Sequence, residues 1–358
     1  MTSTPALSTD LERIRDLAGR GETTLATIEA IRLLARRPRE IEAELLSDLA
    51  VLRFGARDHV GSLACVRAAV ERDPSCALAL ENLAALEARL GGAPSTESID
   101  AERATGAATL NPWVVSALAA ADSAIGLAGK HVVEVGGCVP PAAVRKLGVA
   151  SWTACDLRPG EVQDQGYRAI ACDAAAIPVG DASFDTAYSV CAFEHFGDVD
   201  AVLREVQRVL KPGGRLFTQF APIWTCAVGH HVWIRDDERT TLTFNDRVVP
   251  AWGHLLLEEH ELAPYLEIVR GPSLARRIAD YIWRATYINR RCEADFRRAV
   301  AASGFEVEVY EPWGGETRPE PELLAELRRR WPAGGEFGWQ GLRIQLRKRA
   351  AEGRTASA

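Results

Sequence analysis

No run of apolar residues in this 358-residue chain approaches the ~18 needed to cross a bilayer, so a membrane-spanning helix is excluded. The N-terminal stretch MTSTPALSTDLERIR has acidic residues where a signal peptide needs an apolar stretch, and the expected compartment is the cytoplasm. Basic charge is also short: the formal net charge is −7, and phosphate backbones are bound by clustered Lys and Arg, so a nucleic-acid partner is disfavoured. The eight cysteines contain no C-x-x-C pair, and four lie in or beside segments that read as buried strands, as reduced core residues do. From Leu11 to about Leu90 there is no strand signal at all.

The content is otherwise that of a globular protein with a sizeable core: 47% hydrophobic and 25% charged residues, long enough for two domains. In the strandless part, Ala, Leu, Arg and Glu dominate with apolar spacings of three and four, the pattern of paired amphipathic helices. Ala26, Ala30, Leu33 and Pro38 recur as Ser62, Val66, Ala69 and Pro74, offset by 36 residues, with Leu46, Leu49 and Ala50 opening the second unit. This resembles a short tetratricopeptide array, although Arg53 stands where a large aromatic is expected. An unrelated helical bundle is the plainer alternative. Either way residues 1–90 are expected to form a small all-α domain for assembly, a homodimer contact or a protein partner.

Residues 91–104 read as a Gly-, Ser- and Thr-rich linker, and 351–358 as a disordered tail. Between them, 105–350 alternates strands and helices: strands are expected at 131–135, 151–155, 167–172, 185–191 and 215–220, joined by crossovers, then a final pair at 305–312 and 341–349. This predicts an α/β, doubly wound sheet of seven strands. Residues 223–289 interrupt it as a long insertion holding four tryptophans and four histidines, and read as a substrate lid.

A nucleoside ligand on such a sheet binds at the carboxyl ends of the strands. The first strand runs into Glu134-Val135-Gly136-Gly137-Cys138: the glycines let backbone approach a ligand, and Glu134 can accept hydrogen bonds or face a cation. The second strand ends in Asp156-Leu157, about 20 residues on, where an acid can accept ribose hydroxyls. The positions from Gly136 read G-G-C-V-P-P, which lacks the glycines of G-x-G-x-x-G and disfavours NAD.

The stretch ACDAAAIPVGDASFDTAYSVCAFEHF followed by EVQRVLKPGGRLFTQF resembles the type 11 methyltransferase family, over residues 131–222, within the seven-stranded, Rossmann-like class I fold. The resemblance implies S-adenosyl-L-methionine as cofactor, Asp173 at its adenine amino group with Ala174 supporting the ring, and Ser189 to Cys191 lining its methionine part. The turn Lys211 to Gly214 would lead into strand five. Cys138 and Pro140 stand where the family has glycine, so the amino-acid end of the cofactor is expected to be held differently. Taken singly, Asp156 also reads as a helix N-cap, Asp173 as a turn former and Lys211 to Gly214 as a helix stop.

The implied activity is methyl transfer to a small molecule, with oxygen the leading acceptor atom and a biosynthetic role. A peptide- or carrier-bound acceptor brought by the helical domain is the alternative, as is a non-catalytic cofactor-binding scaffold. An alcohol or phenol acceptor needs a base. His195, in Phe193-Glu194-His195-Phe196 after strand four, is the first candidate, and His230-His231 in the insertion the second. His230, His231, His254 and His260 with Asp236 and Asp237 share one insertion, but no H-x-x-x-H or H-x-x-E-H spacing occurs, so no metal is assigned. The insertion's aromatics read as an apolar wall or simply its core, and the runs Arg328 to Arg330 and Arg347 to Arg349 as solvated faces.

Overall fold

The computed structural model describes residues 4–36, 41–90, 112–137, 139–159, 163–236, 240–315 and 317–350. The linker expected at 91–104, the tail at 351–358, and Pro38 and Cys138 lie outside them. The chain divides into two compact units: 1–107 with 226–285 and 317–338, and 108–225 with 286–316 and 339–358.

The first unit opens with five helices: α1 (Thr4–Gly19), α2 (Thr23–Ala35), α3 (Glu42–Gly55), α4 (His59–Arg72) and α5 (Ala77–Leu90). Each packs on the next, and α3 also touches α1 and α5. The repeated positions are equivalent in burial: Ala26, Ala30 and Leu33 on α2 and Ser62, Val66 and Ala69 on α4 are all buried. Arg53, in place of the aromatic, is buried too. Its guanidinium reaches Asp58 Oδ2 at 2.8 and 3.1 Å and the Arg247 carbonyl, and lies over the Tyr265 ring. Asp58 is also the N-cap of α4, accepting the Gly61 N–H at 2.9 Å, and pairs with Arg270 at 3.4 Å.

Those partners show that the insertion expected to close over the α/β domain belongs, over 226–285, to the helical unit. The segment's helical stretch Glu259–Trp283, two helices that meet at a kink at Gly271 (φ +75°), packs on α2 and α4 and buries Leu262, Tyr265, Leu266 and Val269. The helix Pro321–Arg330 joins the same unit by its N-terminus: Glu22 accepts the N–H groups of Glu322 and Leu323, while Glu320 accepts the N–H and the hydroxyl of Thr24. The physical reason is burial. The helical segment alone leaves the outer faces of α2 and α4 apolar, and the insertion supplies the cover.

The second unit is the expected doubly wound sheet. Its strands are β1 (His131–Val135), β2 (Ser151–Asp156), β3 (Gln163–Asp164), β4 (Tyr167–Ala171), β5 (Phe184–Val190) and β6 (Leu210–Phe220), closed by β9 (Glu306–Trp313) and β10 (Gly341–Arg347). A short hairpin of the first unit, β7 (Trp233–Asp236) with β8 (Thr240–Thr243), lies between them in sequence. The order is β3-β4-β2-β1-β5-β6-β10-β9: β4, β2, β1, β5 and β6 are parallel, and β10 and β9 antiparallel. The seven expected strands are thus present, with the two-residue β3 added at one edge. β6 begins at Leu210 rather than 215, because Lys211 to Gly214 form an irregularity within the strand: Phe184 pairs with Leu210 but Thr186 with Arg215. Gly213, at φ +79°, donates to Lys348 there.

The core beneath β1 is built from Val132, Trp152, Ala154, Tyr188 and Phe217, sealed by Leu118, Ala121 and Ile125 of the helix Pro112–Ile125. Edge strand β9 is exposed over its first three residues, and its Glu306 pairs with Arg347 of the adjacent β10 and its Glu308 with Arg215 of β6, one strand further in. No helix among the described residues is long and apolar enough to cross a membrane.

Candidate active site

The carboxyl ends of β1, β2, β4 and β5 lie side by side, since these strands are parallel neighbours. They carry Glu134, Gly136 and Gly137; Asp156 and Leu157; Asp173 and Ala174; and Ser189. The fold therefore brings every expected cofactor residue to one edge.

Their side chains do different things. Glu134 is buried and committed to the protein: its carboxyl accepts the Trp152 indole N–H at 2.7 Å and the Val139 N–H at 2.9 and 3.0 Å, which closes the loop after β1. Burial pushes its pKa up to about 7 against the pull of those two donors. Gly136, at φ +75°, has no room for a side chain, because a Cβ would come within 2.7 Å of Ala192 Cβ and Phe196 Cζ. Ser189 is also occupied internally, donating its hydroxyl to the Val135 carbonyl at 2.7 Å.

Asp156 and Asp173 are the outward-facing acids. Each accepts a backbone N–H two residues on, from Arg158 and from Ala175, both at 2.8 Å, so each carboxyl is held in a fixed turn. Asp173 is exposed, Asp156 half-buried and Leu157 exposed, while Ala174 is buried. The Cys172 N–H donates to the Asp156 carbonyl at 3.0 Å, tying the two strand ends together.

Beyond β5, residues 193–196 form a tight loop that sequence reasoning left without a support. Asn289 supplies it: its side-chain amide donates to the carbonyls of Phe193 (2.7 Å) and Phe196 (3.1 Å), and its backbone N–H to that of Glu194 (3.0 Å). Nothing in the sequence marks Asn289, which comes more than 90 residues later. The loop presents His195, whose Nδ1 lies 2.8 Å from the Tyr287 carbonyl and whose ring packs on that of Tyr287 at 4.2 Å. A carbonyl only accepts, so Nδ1 carries the proton and neutral His195 keeps its basic lone pair on Nε2. Burial lowers its pKa, opposed in part by the Tyr287 carbonyl.

Glu194 lies in the same loop. Its side chain is almost fully buried, and its carboxyl makes no hydrogen bond of good geometry among the described residues; the nearest donors are its own N–H and that of Ala221, just past β6. Burial pushes its pKa up to about 8; the N–H groups of Glu194 itself and Ala221 pull the other way. A buried acid inside the aromatic run Phe193 to Phe196 is the signal that would have found it.

His230 and His231 lie in the other compact unit, both buried. His230 Nδ1 accepts the Val232 N–H at 3.2 Å, its ring meets that of His254 at 5.5 Å, and burial with the neighbouring His254 and His231 holds its pKa well below the usual histidine value. The His231 ring packs edge-on against Phe244. Of the insertion's tryptophans, Trp252 is core, donating to the Phe337 carbonyl at 3.1 Å, and Trp233 is half exposed. No group of three or more His, Cys, Asp or Glu among the described residues is placed to hold a metal ion.

A sheet of this order, with acids at the ends of its second and third parallel strands and a glycine turn after the first, is the doubly wound arrangement that binds a nucleoside at its strand ends. Residues 133–218 match the family described as "Methyltransferase domain", in keeping with S-adenosyl-L-methionine, the cofactor that the sequence resemblance implies. Among similar proteins, a probable phthiotriol/phenolphthiotriol dimycocerosates methyltransferase of Mycobacterium ulcerans is 36% identical over 110 residues, 28% of this chain and 42% of that one. A demethylmenaquinone methyltransferase of Corynebacterium kroppenstedtii is 38% identical over 93 residues, 25% of this chain and 40% of that one. The chain spans less than half the length of the curated relatives it matches. Among solved structures, geranyl diphosphate C-methyltransferase of Streptomyces coelicolor A3(2) is similar with a TM-score of 0.40 at 14% identity, covering 72% of this chain and 84% of that one.

The side chains present fit that cofactor. Two outward acids on adjacent strand ends suit a nucleoside's hydroxyls and amine, and a buried carboxyl without a hydrogen bond of good geometry among the described residues suits a cation.

Proposed function

We propose that this chain transfers the methyl group of S-adenosyl-L-methionine to a small molecule, with a hydroxyl oxygen as acceptor and His195 as base. The observation that carries this reading is the His195–Tyr287 hydrogen bond, which leaves Nε2 of a neutral imidazole as the acceptor of a proton. The cofactor, when bound, supplies an already activated methyl group. The remaining work falls to the chain: Asp156, with Leu157 beside it, takes the ribose, Asp173 and Ala174 take the adenine, and Gly136 and Gly137 admit the amino-acid end. Asn289 holds the loop in which His195 Nε2 would receive the acceptor's proton as its oxygen takes the methyl group from sulfur, which would keep the electron pair of the broken S–C bond.

A peptide- or carrier-bound acceptor is the second reading, favoured by exposed Val51, Val60 and Leu80 on α3, α4 and α5, which suit a partner or a second copy of the chain. Calorimetric titration tests the first step: wild type binds S-adenosyl-L-methionine, and Asp156→Ala weakens it at least roughly tenfold, as for loss of a hydrogen-bonded charge. Absence of binding at millimolar cofactor refutes the reading and leaves a scaffold role. Once a labelled-cofactor screen has found an acceptor, His195→Ala should slow turnover by about 10²–10⁴. Full rate in that variant refutes acid–base work by His195.

A further inference from the structure

The amino-acid end of S-adenosyl-L-methionine carries an ammonium group, and a buried ammonium needs an acid. Glu134, at the turn after β1, is the acid that spacing nominates, but Trp152 and Val139 already occupy both of its oxygens. The loop after β5 packs directly against that turn, since a Cβ on Gly136 would collide with Ala192 and Phe196. In that loop Glu194 holds a buried carboxyl that meets no side-chain partner and makes no hydrogen bond of good geometry among the described residues, its nearest donors being the N–H groups of Glu194 itself and Ala221. Its titratable neighbours are His195, whose Nε2 is 4.0 Å from Oε1, and Tyr287; no Lys or Arg among the described residues is paired with it. Asn289 fixes the backbone of this loop through three hydrogen bonds to its carbonyls.

We propose that Glu194, rather than Glu134, is the carboxyl that meets the ammonium group of the cofactor's amino-acid end. The proposal rests on the reading that this edge of the sheet binds S-adenosyl-L-methionine. Near neutral pH the empty carboxyl holds a proton, because its pKa lies at about 8. The arriving ammonium favours the carboxylate, so the O–H bond of Glu194 breaks, the proton passes to solvent, and the ammonium N–H groups take the two oxygens.

Proton-linked calorimetry at about pH 7, in two buffers of different ionisation enthalpy, reads this directly on the full chain. Three probes separate the charges: S-adenosylmethionine, S-adenosylhomocysteine (an ammonium but no sulfonium) and 5′-methylthioadenosine (neither). Wild type should release close to one proton with the first two and none with the third. Glu194→Gln should abolish the release and weaken S-adenosylhomocysteine roughly tenfold or more, while leaving methylthioadenosine binding unchanged, which also shows the pocket intact. Release with S-adenosylmethionine alone would overturn the proposal in favour of the sulfonium. Unchanged homocysteine binding and release in the variant, or an equal loss for methylthioadenosine, would overturn it as well. If none of the three binds wild type, the cofactor reading itself fails, a result distinct from binding without proton release.

Discussion

Glu194 makes the stability of the α/β unit depend on pH in the opposite sense to most carboxylates. Its pKa is about 4.5 in an unfolded chain and about 8 in the fold, a difference of roughly 3.5 units, or up to about 5 kcal/mol at about 1.4 kcal/mol per unit. Below about pH 4.5 both states carry the proton and the effect vanishes. Between about 4.5 and 8 the unfolded chain ionises while the fold keeps its proton, so stability falls as pH rises; above about 8 the full penalty stands. Relaxation and water entry reduce such figures, and about half, roughly 2–3 kcal/mol, is the expected size. Glu194→Gln removes the titration and keeps the shape. The variant should match wild type near pH 4 and melt about 5–10 °C higher near pH 9, at about 2–4 °C per kcal/mol for a unit of this size. Scanning calorimetry across that range measures the gap. A gap that stays constant with pH, or a variant that melts lower at alkaline pH, would refute the reasoning.

Two further expectations concern other groups. Arg53→Met strips Asp58 of its closest partner inside the helical unit and should cost about 3–5 kcal/mol in urea unfolding, whereas Arg53→Met with Asp58→Asn should recover part of that; no recovery would show that packing, not charge, is lost. His195, with its pKa lowered by burial, should titrate below 6.5 in an NMR pH series, so that its base form and the methyl-transfer rate persist as pH falls through 6.5; a midpoint at or above 6.5 would contradict the burial described here.

The seven strands were legible because each is a short apolar run bounded by turn residues, and parallel order follows from the helices between them. Asp156 and Asp173 were legible for the same reason: a strand end is a local feature. The helical identity of residues 11–90 followed from spacing alone. What was not legible depends on partners far away in sequence. The insertion's apolar residues mark it as buried without saying against what, so its place in the helical unit was missed. The support from Asn289 and the occupation of Glu134 by Trp152 are contacts that no periodicity encodes. β3 is two residues long and makes no pattern. Glu194 stood in plain view, but a charged residue among aromatics reads as surface until its burial is known.

The helical unit is assembled from three stretches of chain, 1–107, 226–285 and 317–338. During synthesis its first five helices therefore emerge long before the helix that covers α2 and α4, and at ~5–20 residues per second the wait is on the order of ten seconds or more. Through that interval their apolar faces stand open to chaperones or to other nascent chains, and the unit closes only as the last of its segments leaves the ribosome. Removing the N-terminal helices to isolate the α/β part would have the mirror effect: Leu262, Tyr265 and Leu266 would lose their cover, and the shortened chain would aggregate rather than simplify.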